Sequence, residues 1–337
     1  MYWTDLSMNA ELNTEVYQWQ QPAWTKLLSL HQKQRLPHAM LLSGPQGIGK
    51  EHFARVCAYY ILCQNPKQEA CGSCKSCLLN QQGTHPDLVT IFPDEPGKPI
   101  KIDQIRDLNR FITSTPQQGG YRVVIISPAE EMNINAANAV LKGLEEPGDK
   151  TLFLMVSHAS GRLMATIRSR CQSYPLPLPT AEQAEIWLDQ QGIENAQLLL
   201  KLAGGAPLSA QKLFSDGGAE KRTLLVSGLK GVASRRCSVP EIAVQWQKED
   251  PLQMLSWLYS LITDMIRYRS SGSADNLTNL DAKTLVIKAS ARIPAEKLFA
   301  FVDKIQEYRR QLMAKTNPNR QLMFEDILIY WLGLVSR

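Results

Sequence analysis

The run Met40-Leu41-Leu42-Ser43-Gly44-Pro45-Gln46-Gly47-Ile48-Gly49-Lys50-Glu51 decides how the rest of the chain reads. An apolar segment, a glycine-rich turn and a lysine lead into a helical pattern from His52 to Leu62. Strand, turn and helix in that order make a phosphate-binding loop. The glycines let backbone N–H groups curl round a triphosphate at a helix N-terminus. Lysine meets the β- and γ-phosphates, and a Ser or Thr hydroxyl at the next position ligates magnesium. Gly44, Gly47, Gly49 and Lys50 are in place, but Glu51 stands where the hydroxyl belongs. A carboxylate suits the helix dipole there, yet it brings negative charge to a site built for an anion. The expectation is a phosphate-loop fold with weak or absent ATP binding.

A phosphate-loop ATPase also needs an acidic residue just after a buried strand, to hold magnesium and polarise water. The β-branched run at Val123–Ile126 is followed by Ser127-Pro128-Ala129, with no carboxylate. Glu130 and Glu131 come later and read as the cap or start of a helix. This second loss is independent of Glu51, so hydrolysis is expected to be absent or feeble.

Outward from the loop, strand patterns at Ala39–Ser43, Asp87–Phe92, Arg122–Ser127, Thr151–Ser157 and Ser173–Leu178 alternate with helical ones. Helices are predicted at 22–36, after a cap at Asp103, and over Asn135–Leu144. Alternation of this kind implies an α/β fold with a doubly wound parallel sheet. Pro175, Pro177 and Pro179 then read as a linker. Thr180 to Phe214 is a small helical unit, and Ser215-Asp216-Gly217-Gly218-Ala219 a second break. From there to Arg337 only helix patterns occur. Asp250-Pro251 starts one as cap and N1 proline. Loops are predicted at 93–99 and, mobile, at 270–276. The domain reading is 1–178, 179–215 and 216–337.

Length and composition agree with this. A chain of 337 residues, 44% apolar and 20% charged, describes a globular protein of two or three domains. Net charge is +5, from 37 basic and 32 acidic residues, which alone does not indicate nucleic-acid binding. Met1 to Gln21 has no apolar leader segment, and no run approaches a membrane span. Seven cysteines, four of them within 63–77, fit a reducing compartment and a metal better than disulfides. The reading is cytoplasmic, with no membrane.

Those four cysteines carry the strongest chemical signal. Cys71, Cys74 and Cys77 lie within seven residues, and Cys63 ends the preceding helix. Four thiolates make a closed tetrahedral zinc site, structural rather than catalytic. An iron–sulfur cluster, unligated thiols, or His85 in place of one cysteine are the alternatives. The plain reading of His85-Pro86-Asp87 is a turn leading into the strand. Cys57, Cys171 and Cys237 read as small buried apolar residues. Arg168 and Arg170 flank Ser169, and a guanidinium at a subunit edge can stabilise charge developing on a neighbour's ATP. A surface or buried ion pair is the plain alternative.

Taken in order, the loop, the cysteine module, His85-Pro86-Asp87, Asp103-Gln104-Ile105-Arg106, the run Asn138 to Pro147 and Ser169-Arg170-Cys171 resemble the bacterial clamp-loader family. Its members are AAA+ subunits of the DNA polymerase III holoenzyme. The terminal Asn317-Pro318-Asn319 with Leu322 and Glu325 adds to the resemblance, which covers nearly the whole chain. Hydrolysing gamma/tau members would carry Thr or Ser at 51 and Asp-Glu at 127 and 128. They would also carry a second phosphate-sensing arginine, where this chain places Leu208. The resemblance therefore points to a member that is not catalytic by itself. It implies a RecA-like AAA+ core with an inserted zinc module, a small helical lid domain and an all-α C-terminal collar. It implies that Arg170 reaches the ATP site of an adjacent gamma/tau subunit. The partners implied are delta and gamma/tau, with chi/psi through the complex, and the sliding clamp and primed DNA through the assembly. Two competing expectations are an autonomous AAA+ ATPase in which Glu51 tolerates magnesium, and a zinc-containing nucleic-acid-binding module. Against the latter, Lys67, Lys75 and Lys101 form no dense patch.

Overall fold

A computed structural model describes residues 14–336 apart from 96, 119, 276, 315 and 317. Most of the stretch from Met1 to Gln21, Pro96 and Asn276 of the two predicted loops, and Asn317 of the terminal signature lie outside the described residues. Two compact units divide near residue 183.

The first unit alternates helix and strand as expected. Helix α1 (Gln21–Gln32) precedes strand β1 (Ala39–Ser43), which runs through the glycine loop into α2 (Lys50–Leu62). The cysteine module contains α3 (Lys75–Gln81) and ends at β2 (Leu88–Ile91). Helices α4 (Ile102–Arg106) and α5 (Leu108–Thr113) lead to β3 (Arg122–Ile126). Helix α6 (Ile134–Glu145), β4 (Thr151–Ser157), α7 (Ala165–Arg168) and β5 (Gln172–Pro175) complete it.

The five strands form one parallel sheet in the order β2-β3-β4-β1-β5. Helices cover both faces, so β3 and β4 are buried at every residue and read as unbroken apolar runs rather than alternating ones. Period-2 geometry still sorts their side chains. Leu41, Val124, Ile126, Phe153 and Met155 pack with Ile105, Ile112, Val140, Leu144 and Ile167 from α4 to α7. Their alternates Met40, Leu42, Val123, Ile125 and Leu154 are buried as well, and α2 packs on β3 and β4. Phe53 of α2 stacks on Tyr174 of β5 with centroids 6.2 Å apart.

Asp103 corrects one expectation. It lies inside the first turn of α4 and pairs with Arg106 at 2.8 Å. The helix start is closed instead by Gln104, whose Oε1 accepts from the Lys101 N–H at 2.9 Å. Asn133 caps α6 by accepting from Ala136 N at 2.8 Å.

The second unit is entirely helical among the described residues. The division falls inside α8 (Ala181–Gln190), and α9 (Ala196–Leu202) and α10 (Pro207–Ser215) follow. Then come α11 (Gly218–Ala233), α12 (Val239–Trp246), α13 (Pro251–Ser271), α14 (Lys283–Arg292), α15 (Ala295–Met313) and α16 (Arg320–Val335). Asp250 caps α13 as expected, its carboxylate accepting from Leu252 N at 3.0 Å. The unit holds two apolar clusters. A small one includes Leu188, Leu199 and Ala210, and a large one contains Trp246, Trp257, Phe324 and Trp331. No helix among the described residues is long and apolar enough to cross a membrane.

Candidate functional site

The glycine loop sits at the carboxyl end of β1, with the ends of β4 and β5 on either side. Ligands of open parallel sheets bind at such strand ends. Gly44 is required by close approach, since a Cβ there would lie 2.4 Å from the Leu176 carbonyl oxygen. Gly49 has φ +83° and faces the Tyr17 ring, which a Cβ would meet at 2.5 Å. Behind the loop, Trp19 Nε1 donates to Ile48 O at 3.0 Å. Gln20 Nε2 donates to Ile48 O at 2.9 Å and to Gly49 O at 3.0 Å. Residues 17–20 therefore hold these carbonyls on the outer side of the turn.

Lys50 is buried, at 2% exposure. Its ammonium donates to Gly44 O at 2.7 Å and also to Pro45 O. Burial pushes its pKa down to about 8, opposed by the carboxylates of Glu130 and Glu51. Glu51 Oε1 accepts from the Ser127 hydroxyl at 2.7 Å. Ser127 stands at the end of β3, where an ATPase has its carboxylate. Hydroxyl and carboxylate are thus present but exchanged: the helix carries the acid and the strand end the alcohol.

Glu130 stands at the start of a short 3-10 helix, as one of the two expected readings has it, rather than capping it. Its Oε1 accepts from the backbone N–H groups of His158 at 2.8 Å and Ala159 at 2.9 Å. This places a second acid beside Lys50. His158 follows β4 directly, with Nε2 4.0 Å from Glu51 Oε1. Burial, reinforced by Lys50, pushes the imidazole down to about 4, so at neutral pH this is a neutral contact rather than an ion pair. Glu130 Oε2, Ser157 Oγ and His158 Nδ1 are buried without a hydrogen-bond partner among the described residues. Sequence reasoning placed Ser127 but missed His158, because nothing in its spacing distinguishes it from a residue ending any strand.

The cysteine module closes on itself. The sulfurs of Cys63, Cys71, Cys74 and Cys77 all lie within 4.8 Å of one another. Cys63–Cys74 and Cys71–Cys77 are each 4.0 Å apart. A tetrahedron with metal–sulfur bonds of about 2.3 Å has edges of roughly 3.8 Å, so the donor set fits zinc. Backbone N–H groups of Cys71, Cys74 and Cys77 donate to Cys63, Cys71 and Cys74 sulfurs at 3.3, 3.4 and 3.4 Å. Such bonds favour thiolate. The N–H groups of Ser73 and Cys74 bring Cys71 down to about 6, while burial raises Cys77. A closed S4 set leaves no position for substrate.

His85 is engaged elsewhere. Its Nδ1 accepts from Asp87 N at 3.0 Å, which leaves the proton on Nε2, 2.5 Å from Ser76 Oγ. Asp87 accepts from Gln117 N and Gln118 N at 2.8 and 2.9 Å. The segment is the turn into β2.

Arg170 follows α7. Its Nη2 lies 2.6 Å from Glu145 Oε1, and Nη1 donates to Thr166 O at 2.9 Å. Ser169 Oγ donates to the same Thr166 carbonyl at 3.1 Å, and Cys171 packs against the apolar cluster of the sheet.

Fold and site together define an α/β protein of the phosphate-loop type, with a glycine–lysine loop, a four-cysteine cluster and a helical C-terminal unit. The family model described as "DNA polymerase III, delta subunit" matches residues 19–180, and "DNA polymerase III, delta subunit, C terminal" matches 217–333. The chain is 38% identical to DNA polymerase III subunit delta' of Pseudomonas aeruginosa, over 95% of this chain and 98% of that protein. It is 32% identical to DNA polymerase III subunit delta' of Escherichia coli K12, over 93% and 94%. A solved gamma subunit-related protein of Thermotoga maritima aligns at 21% identity and TM-score 0.46, over 92% and 99%. The chain belongs to the DNA polymerase III delta' subunit family.

Proposed function

We propose that this chain is a non-hydrolysing, stator-like subunit of a bacterial clamp loader. It assembles with delta and gamma/tau, with chi/psi through the complex, so that the sliding clamp is placed on primed DNA. It works in the cytoplasm as a component of the DNA-directed DNA polymerase holoenzyme. Residues 1–178 are the AAA+ core, 179–215 the lid and 216–337 the collar that joins the ring. The four cysteines hold one structural zinc.

The observation that carries the non-hydrolysing reading is the exchange at the loop. Magnesium of a phosphate-loop ATPase is held by a hydroxyl on the helix and a carboxylate at the strand end. With Glu51 bonded to Ser127 at 2.7 Å, a carboxylate stands where magnesium's hydroxyl ligand belongs, and the strand end offers only an alcohol. A serine hydroxyl cannot polarise water as a carboxylate does. Gly44, Gly47, Gly49 and Lys50 then serve as scaffold, with ATP bound weakly or not at all. Glu130 beside Lys50 favours the second reading, a hydrolysing gamma/tau-like subunit in which that acid replaces the lost one.

In this account Arg170 acts in trans on a neighbouring ATP site. In a reconstituted loader, Arg170→Ala is expected to slow turnover at that site by about a hundredfold or more. Unchanged DNA-stimulated ATP turnover of the assembly would show the finger role to be wrong.

A further inference from the structure

We infer that Glu145 is the residue that positions Arg170 for the neighbouring ATP site. The inference rests on the trans-acting role proposed above and adds a second residue to it. Glu145 is the last residue of α6 and Arg170 lies two beyond α7. Their neighbours Leu144 and Ile167 are 2% and 0% exposed and belong to one apolar cluster. The separation of the two backbones is therefore set by packing and not by the ion pair. Across that fixed gap the carboxylate reaches Nη2 at 2.6 Å while Thr166 O accepts from Nη1 at 2.9 Å.

Two acceptors on different terminal nitrogens fix both the position and the plane of the guanidinium. The side chain is still 36% exposed, so it remains within reach of a partner. An arginine free in solvent loses rotamer freedom when it docks on a phosphate, and that cost weakens its action. An arginine already ordered has less to lose. The pair is exposed enough to be weak, with Glu145 at 49%, so the carboxylate steers the guanidinium without trapping it.

The test is a double-mutant cycle in the reconstituted loader, reading kcat and KM for ATP. Glu145→Ala is expected to lower kcat by about threefold to tenfold with KM unchanged, because the arginine acts in the transition state. Glu145→Gln keeps an acceptor oxygen and should recover most of that loss, which also separates positioning from misfolding. In an Arg170→Ala background, Glu145→Ala should add nothing. If Arg170→Ala itself has no effect, the trans-acting reading fails and this inference with it. If Arg170→Ala slows turnover but Glu145→Ala does not, or if the two losses multiply, Arg170 keeps its role and Glu145 loses the one assigned here. Faster turnover in Glu145→Ala would make the pair a restraint, which also overturns the inference.

Discussion

Lys50 and His158 lie at one corner of the sheet, where the lysine is charged and the imidazole neutral. Two loop carbonyls accept from the Lys50 ammonium, and Glu130 and Glu51 offset part of its desolvation, so it stays charged at neutral pH even with a pKa near 8. His158 lacks that compensation and stays neutral down to about pH 4. Its folded pKa lies below its ordinary value of 6.5, so between those limits the unfolded chain binds a proton that the folded one refuses. Stability is therefore lost as pH falls from about 6.5 through 4, by roughly 3 kcal/mol at most for this group. Urea midpoints at pH 7 and pH 4.5 should fall further for the native chain than for His158→Gln. Equal falls would mean that the imidazole is solvated. The Glu51–Ser127 bond belongs to the same scale. It joins residues 76 apart in sequence, and no spacing rule foretells such a contact. The two departures from an ATPase were visible separately, but only the fold shows that their side chains meet.

Helix α2 links both candidate sites, beginning at Lys50 of the loop and ending one residue before Cys63 of the four-cysteine cluster. Its N-terminal side is held by Trp19 and Gln20, and Trp24 Nε1 donates to Gln68 O beside the cysteines at 3.2 Å. Cys74 serves both as a candidate ligand and as the N-cap of α3. Chain purified without chelators should hold about one zinc, and Cys77→Ser should lose it with a fall in Tm of roughly 5–10 °C. A metal-free chain of undiminished Tm would sink the zinc assignment. Elements of this kind were legible because local chemistry sets them. Apolar runs gave the strands, cysteine spacing gave the centre, and Asp250-Pro251 gave the start of α13. Asp103 misled because Asp is favoured both as a cap and in the first turn, and only the backbone distinguishes the two. Glu130 does lie in a short 3-10 helix, but its bonding was not legible. Its Oε1 accepts from backbone N–H groups at the end of another strand, a long-range pairing that no local pattern encodes.

At the scale of the molecule, the chain combines a parallel-sheet unit that carries every candidate site with a helical unit built for packing. The large helical cluster buries Trp246, Trp257 and Trp331, with Trp331 Nε1 donating to Leu229 O at 3.0 Å. Beside it Arg222 is 2% exposed and reaches Asp281 at 2.8 Å and Asn279 at 2.6 Å, while Asn279 donates to Asp264 at 2.7 Å. Arg222 Nη1 is buried without a hydrogen-bond partner among the described residues, so this network is only partly satisfied. The role proposed above is that of a subunit that does not turn over ATP by itself. The measurement that bears most directly on this is ATP turnover by the purified chain with magnesium and primed DNA, beside Lys50→Ala. Turnover no higher than that of the variant is the predicted result. Turnover that the native chain shows and Lys50→Ala loses would contradict it, and would make Glu130 the acid of a working motor.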